Sequence, residues 1–501
     1  MYKDEVNETA PLNLINEDQK DDDSEEYIKL EQKYTELEYS HIWKIVFYLN
    51  VFLAWVTFSI VLPSLWPYLQ IFDSSETFLA FVVSIYSVGE FLGSIIWGYI
   101  FNSFSMKFSL YSWITLGLIG SVIYSTAYNV KPEGKWIVFL GRLIQGIWTG
   151  AQQTIEAAYI SECIDKDQNL AMITNLGLAW VLGFTLGPIV SLLGRLITFK
   201  FWIIDINEYT SSGYIIALWN IIMLFNSCFF FTEIPRKWRR NLRGVDQNEH
   251  FSNGINSSVV PEDSRELMHK HPSKVDFSEV NEEQREILSQ LRPSIIGIFV
   301  WNMMFFMHYN SLAVQETIIT PISTDVDHKF TDTLNFPSYF AYIMFAVSGF
   351  LTFWTFMLMK IIDGVFSDTT LAMVGSLMQL FGFILIIDFV PRIIEPIRFI
   401  IGYCLICVAF VPGRGICLTL LSKIIGKHKA GNYMGYMLAI GALARSLGPF
   451  WAVRSLLVSP TITFGGWALL FLITIWVQIV CHSSLKPHWA YYIEIYKDTR
   501  E

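Results

Sequence analysis

Twelve long apolar runs, at 43–69, 78–101, 107–128, 136–161, 170–196, 213–232, 294–320, 337–360, 369–390, 396–421, 431–456 and 464–485, restrict this chain's fold more than any other feature. Each is about as long as a helix must be to cross a hydrocarbon layer ~30 Å thick. Backbone amides find no partner in lipid, so each crossing segment is a helix or part of a closed barrel. The runs are continuously apolar and do not alternate with period two, which selects helices. The expected fold class is therefore an all-α membrane protein with twelve transmembrane helices. Composition agrees, with 53% hydrophobic and 16% charged residues, against roughly 25% charged in a soluble domain. The three or so soluble domains that length alone suggests are excluded.

The polar remainder divides the chain. Residues 1–42 include "NEDQKDDDSEEY", an acidic, aromatic-poor tail expected to be disordered, and it carries much of the net charge of −10. No cleavable leader is expected, because the start is acidic and the first run begins past residue 40. The long polar connection 233–292 splits the runs six and six. The expected organisation is a bundle over 43–232, a cytosolic basic and polar linker over 233–292, a second bundle over 293–485 and a cytosolic tail over 486–501. Arg236, Lys237, Arg239, Arg240 and Arg243 cluster after the sixth run, and Lys166, Lys360, Lys423, Lys427 and Lys429 follow other even-numbered runs. That bias puts both termini in the cytosol. The sequons at Asn7 and Asn256 then lie on the cytosolic side, so no N-glycan is expected. The six cysteines lie in or at the ends of runs and read as packing residues, with no disulfide framework, metal site or cofactor implied.

The two halves resemble each other. A shift of 261 positions lays "ISECIDKDQNLAMITNLGLAWVLGFTLGP" (160–188) over "LSKIIGKHKAGNYMGYMLAIGALARSLGP" (421–449) without a gap, matching Gly187 and Pro188 with Gly448 and Pro449. Six plus six runs, a central basic loop and a parallel repeat suggest the major facilitator fold, a 6+6 parallel pseudo-repeat. Local stretches are similar to that superfamily's signatures. "FLGRLIQGIWTGA" carries Arg142, Gln145, Gly146 and Gly150, and "GFTLGPIV" carries Gly183, Gly187 and Pro188. The loop "GYIFNSFSMKF" departs from the family pattern, with Asn102 where an Asp is usual. "SIVLPSLWPYLQ", "INEYT", "ETIITP" and "SKIIGKHKAGNYMGYMLAIGALARSLGP" resemble the lysosomal branch of the superfamily whose loss causes a childhood neuronal ceroid lipofuscinosis. The resemblance implies a lysosomal membrane protein and places anion (chloride) permeation among the activities proposed for the branch. The SPX domain of related vacuolar transporters has no counterpart in the sequence.

Candidate site residues follow from where charge falls inside apolar runs. On the fourth run Arg142, Gln145, Thr149, Gln152, Gln153 and Glu156 share one broad helical face. A charge at the membrane centre costs ~2.5–3.5 kcal/mol, so such a face turns to protein or water. On the seventh run Asn302, Tyr309 and Glu316 recur every seven residues, with His308 beside them; the tenth contributes Arg414. The resemblance implies that the first, fourth, seventh and tenth helices line a central cavity. Arg142, Gln145, Gln152, Glu156, Asn302, Tyr309, Glu316 and Arg414 are then the expected substrate or ion pathway. Arg142 is the expected partner of Glu316. Against this stand two plainer readings, Glu316 as a wetted helix cap and Arg142 as a structural bond to carbonyls. Glu90 and Arg445 are expected to latch the halves, and Asn102 to belong to the gating loop, while Gly183, Gly187, Pro188, Gly448 and Pro449 form the structural motif.

Three functions fit these expectations. The first is a secondary transporter of a small anionic or zwitterionic solute, with or without proton coupling through Glu316 or Glu156. The second is an anion channel on the same scaffold, and the third a non-transporting scaffold or sensor. Enzyme chemistry is not expected, since no nucleotide loop or activated nucleophile appears, and nucleic acid is not an expected partner. The expected partners are the lipid membrane and the solute, with clathrin-adaptor sorting machinery reading "YIKL" (27–30), "YTEL" (34–37) or "YIEI" (492–495). A monomer is expected.

Overall fold

The computed structural model describes residues 41–163, 166–201, 204–233, 294–324, 331–332, 336–337, 339–362, 366–390, 393–425 and 430–485. The tail tyrosine motifs, both sequons and the basic cluster at 236–243 lie outside the described residues. Twelve long helices run through the described part: α1 (His41–Gln70), α2 (Glu76–Ser103), α3 (Met106–Thr126), α4 (Gly134–Cys163), α5 (Lys166–Gly194), α6 (Ser211–Phe230), α7 (Ile295–Ser323), α8 (Phe340–Ile361), α9 (Asp368–Ile386), α10 (Pro396–Ile425), α11 (Ala430–Val458) and α12 (Pro460–Val480). The all-helical membrane fold read from the sequence is the fold adopted. Eleven of these helices are apolar and long enough to cross a bilayer by themselves. The twelfth is α4, whose polar face lowers its hydropathy. One feature is additional: β1 (Phe199–Phe201) and β2 (Ile204–Ile206) pair antiparallel between α5 and α6, with Lys200 opposite Asp205.

Hydroxyl side chains start many of the helices by accepting a bond from an orphan amide of the first turn. Ser75, Ser105, Ser294, Ser367 and Ser459 accept in this way from the N–H groups of Phe78, Phe108, Gly297, Thr370 and Thr461. Glu233 adds a second device at α3, its carboxylate accepting from the amides of Met106 and Lys107 at 2.8 and 3.0 Å.

Packing repeats between the halves. In the first, α1 lies along α5, α2 along α4, and α3 along both α4 and α6; in the second, α7 lies along α11, α8 along α10, and α9 along both α10 and α12. The repeated Gly-Pro pair explains one of these contacts twice. A Cβ on Gly187 of α5 would strike Ser59 Oγ of α1, and one on Gly448 of α11 would come within 2.9 Å of Ala313 Cβ on α7. Small residues let backbones approach where lipid offers no hydrophobic force to join helices. Gly89, Gly93, Gly146 and Gly150 do the same between α2 and α4, each facing the partner helix's backbone.

The halves meet along two seams, α2 with α11 and α5 with α8. The seams are one contact exchanged by the repeat. Odd-numbered helices begin on the side where α1 starts and α12 ends, here called the terminal side; the opposite face, with β1 and β2, is the hairpin side.

Candidate functional site

A small cavity of about 20 Å³ lies between the halves, lined by Trp55 (α1), Trp180 and Phe184 (α5), Tyr309, Leu312 and Glu316 (α7), Thr352 (α8), Phe410 (α10) and Arg445 (α11). A second cavity of about 10 Å³ adjoins it through Phe184, Leu312, Glu316, Thr352 and Phe410, and adds Gln315, Ser348, Tyr403 and Cys407. Volumes of that size admit about one water each. A larger solute therefore enters only when the halves part.

Glu316 stands between the two cavities. Its side chain is buried, and its Oε1 has no hydrogen-bond partner. Beside it, Gln315 is also buried with its Nε2 unpartnered, while its Oε1 lies 3.9 Å from Cys407 Sγ. Arg445 enters the first cavity from α11. Its Nη1 donates to Glu90 Oε2 at 2.9 Å across the α2–α11 seam, with side-chain exposures of 6% and 12%. Gln153 Nε2 donates to the other Glu90 oxygen at 2.9 Å, and the Arg445 guanidinium lies 4.6 Å from the Phe58 ring centroid. Arg414 packs on two lining residues, 5.0 Å from the ring centroids of both Trp180 and Tyr309. Trp180 in turn meets Trp55 edge-on at 4.9 Å.

On the hairpin side of this centre the halves are joined by direct contacts. Ser84 Oγ donates to the Ser446 carbonyl at 2.6 Å, Thr320 Oγ1 to the Leu62 carbonyl at 3.2 Å, and Phe81 meets Phe450 edge-on at 5.0 Å. Nearer the surface, Arg195 pairs with Glu208 at 3.1 Å and stacks 5.4 Å from Tyr342 of α8.

The structure brings together Tyr309, Glu316, Arg414, Arg445 and Glu90. It keeps the others apart. Arg142 is fully buried, donates from Nη1 to Gln145 Oε1 at 3.1 Å and lies 4.3 Å from the Tyr86 ring centroid. It forms no direct ion pair with Glu316; its direct contacts lie inside the first half, while the two charges still attract each other across the gap between them. The reason is azimuth: Arg142 and Glu316 sit at similar depth, but α4 aims Arg142 at α2. Gln152 donates to Glu156 at 3.0 Å along the same helix, and neither lines the central cavities. Asn302 donates to its own helix, to the Ile298 carbonyl at 2.7 Å. The side chain of Asn102 lies outside the described residues. Gly183 and Gly187 face α1, Gly448 faces α7, and Pro188 and Pro449 stand inside α5 and α11.

Sequence reasoning passed over Trp55, Trp180, Phe184, Thr352 and Phe410. An aromatic in a membrane span has too many plain uses, in packing and at the interfaces, to stand out. Cys407, read as packing, is buried and also lines the second cavity. Among the described residues no group of His, Cys, Asp or Glu has the arrangement of a metal site.

Comparison with known proteins agrees with this architecture. The Major Facilitator Superfamily model matches residues 47–449. A Xenopus laevis protein named major facilitator superfamily domain-containing protein 8 is 25% identical over 469 residues, covering 82% of this chain and 85% of that one. Among solved structures, a D-xylose-proton symporter superposes with a TM-score of 0.61 at 15% identity, covering 87% of this chain and 98% of its own. The peptide transporter POT in complex with sulfate gives 0.61 at 12% identity, covering 89% and 95%. Those structural likenesses speak for the fold. From its twelve packed helices, its repeated halves and the family match across most of its length, the chain belongs to the Major Facilitator Superfamily.

Proposed function

We propose that this protein is a lysosomal or endosomal secondary transporter that moves a small anionic or zwitterionic solute, coupled to protons, by alternating access. Two six-helix bundles, 43–232 and 293–485, rock about the central cavity, with both termini and the 233–292 linker in the cytosol. The protein acts as a monomer. The terminal side is then cytosolic and the hairpin side luminal. The lysosomal address is supported by the four resembling stretches and by the tail tyrosine motifs.

One observation carries the reading: Glu316, a buried carboxylate with an unpartnered oxygen, faces a small cavity at the joint between the halves. Rocking would expose such a group to each side in turn, which is what a proton carrier requires. Glu90 and Arg445 act as the latch across the α2–α11 seam. The contacts that join the halves on the hairpin side favour a carrier over an open anion pore.

The test is transport in proteoliposomes loaded with a small-molecule extract of lysosomes, with efflux followed by mass spectrometry. An imposed pH gradient should drive accumulation by the wild type. Glu316→Gln should lose that accumulation and keep solute-for-solute exchange. Gradient-driven uptake that survives Glu316→Gln removes Glu316 as the proton carrier.

A further inference from the structure

On its terminal side the central cavity ends in a layer of three side chains whose depth the helix directions fix. Trp180 lies one turn of α5 nearer that side than Phe184, and Arg414 one turn of α10 nearer it than Phe410. Tyr309 stands two turns of α7 from Glu316 in the same direction. Trp180 and Tyr309 line the first cavity, and neither lines the second. Arg414 lines neither cavity and is half-buried, so it sits just outside, between the aromatic wall and the terminal side.

The Arg414 guanidinium is 5.0 Å from the ring centroids of both Trp180 and Tyr309. Those rings belong to different halves, so Arg414 joins α10 of the second half to α5 of the first. The two helices do not lie along each other, and long side chains alone bridge the gap between them. Arg414 forms no ion pair among the described residues. Its Nε and the Trp180 Nε1 have no hydrogen-bond partner there either. What holds the layer shut is a cation resting on aromatic faces, a contact without directional bonds. The hairpin side differs, being joined by the hydrogen bonds of Ser84 and Thr320 and by the Glu90–Arg445 pair.

We propose that Arg414 is the gate and charge filter of the terminal-side mouth. Its guanidinium must leave Trp180 before a solute passes, and a fixed cation at the neck admits anions and zwitterions ahead of cations. This rests on the carrier reading above and deepens it.

Cys407 lines the second cavity and lies about 10 Å behind Arg414 along α10, so its thiol reports passage through the mouth. The full chain, with Cys407 as its sole cysteine, is reconstituted in proteoliposomes in both orientations. Two membrane-impermeant methanethiosulfonates, a sulfonate and a trimethylammonium, are added outside, each rate being divided by that with a free small thiol. Arg414→Gln and Trp180→Leu should each speed labelling about five- to thirtyfold. The gain should be confined to molecules whose terminal side faces out, so that two phases appear. Trp180→Phe, which keeps an aromatic face, should stay near the wild type. The sulfonate should lead in the wild type; Arg414→Gln should shrink that lead and Trp180→Leu should keep it. If Arg414→Gln does not fold, Arg414→Lys takes its place, speeding labelling while keeping the lead, because it retains the charge without the planar stacking. Unchanged rates, a gain shared by every molecule, equal gains for Trp180→Leu and Trp180→Phe, or a lead indifferent to Arg414→Gln overturns the proposal. These rates are read without solute, so failure of the carrier reading shows separately, as absent gradient-driven accumulation by the wild type.

Discussion

Cutting the Glu90–Arg445 pair should shift the equilibrium between conformers with the hairpin side closed and open. The pair spans the α2–α11 seam at 2.9 Å, and both side chains are largely withdrawn from solvent. Removing one partner of such a pair costs about 3–5 kcal/mol, because the other is left charged and dry. The two single changes should differ. After Arg445→Gln, Glu90 keeps the bond from Gln153. After Glu90→Gln, Arg445 keeps only the Phe58 ring and turns toward Glu316, which lines the same cavity. A coupling of ~2–3 kcal/mol is expected from the double-mutant cycle, or roughly 30- to 150-fold in the closed-to-open ratio. Spin labels at Gln70→Cys and Val458→Cys, in a background with the native cysteines replaced, mark the hairpin-side ends of α1 and α11. Their distance distribution by pulsed dipolar spectroscopy gives the two populations directly. The double change should lie nearer the wild type than Glu90→Gln alone. A coupling below about 0.5 kcal/mol, the range seen for independent sites, means that the pair keeps its geometry in both states and latches nothing.

Two further outcomes test the packing that positions the site. Gly187→Ala should lower the melting temperature more than Gly448→Ala, since its Cβ meets Ser59 Oγ with the Ile60 N and Val56 O only 2.9 Å away, while Gly448 meets a side-chain methyl at 2.9 Å; overpacking of this kind costs about 1–3 kcal/mol, and equal melting would contradict the close approach of α1 and α5. Asn310→Leu should destabilise the α7–α11 contact by about 1–3 kcal/mol, because Asn310 Nδ2 donates to the Ala444 carbonyl at 2.6 Å and its loss leaves a buried acceptor unmet; Asn310→Asp, which removes that donor while keeping size, should reproduce most of the loss in thermal melts.

What the sequence made legible was depth, and what it hid was direction. Apolar length located the spans, and the rise per residue placed Arg142 and Glu316 at similar levels in the membrane. Neither quantity reports which neighbour a helix face turns to. The polar stripe of α4 was read as facing away from lipid, and Arg142, Gln145, Thr149, Gln152 and Glu156 are indeed buried. The direct contacts of Arg142 and Thr149, however, lie inside the first half, where Tyr86 and Thr149 share a 2.6 Å hydrogen bond and Arg142 covers the same ring. Glu90 and Arg445 were easier to pair, because each is a charge near the middle of an apolar run and has few other places to go. The aromatic lining was hidden for the opposite reason, since Trp and Phe are common throughout the chain.

The repeat carries the reasoning one step further. The shift of 261 that aligns α5 with α11 sets Phe184 against Arg445 and Thr185 against Ser446. Phe184 and Arg445 both line the central cavity, and Thr185 and Ser446 both lie in seams, the first against Gly349 and the second bonded by Ser84. Equivalent positions thus occupy equivalent places, yet their chemistry has parted. The first half offers the cavity Trp55, Trp180 and Phe184, while the second offers Glu316, Arg445 and the nearby Arg414. A duplicated fold with symmetric chemistry would have to rebuild its charge contacts each time the halves exchanged partners. Here the directional contacts described across the seams are Glu90 with Arg445, Ser84 with the Ser446 carbonyl and Thr320 with the Leu62 carbonyl, so these are the contacts that any parting of the halves has to break first.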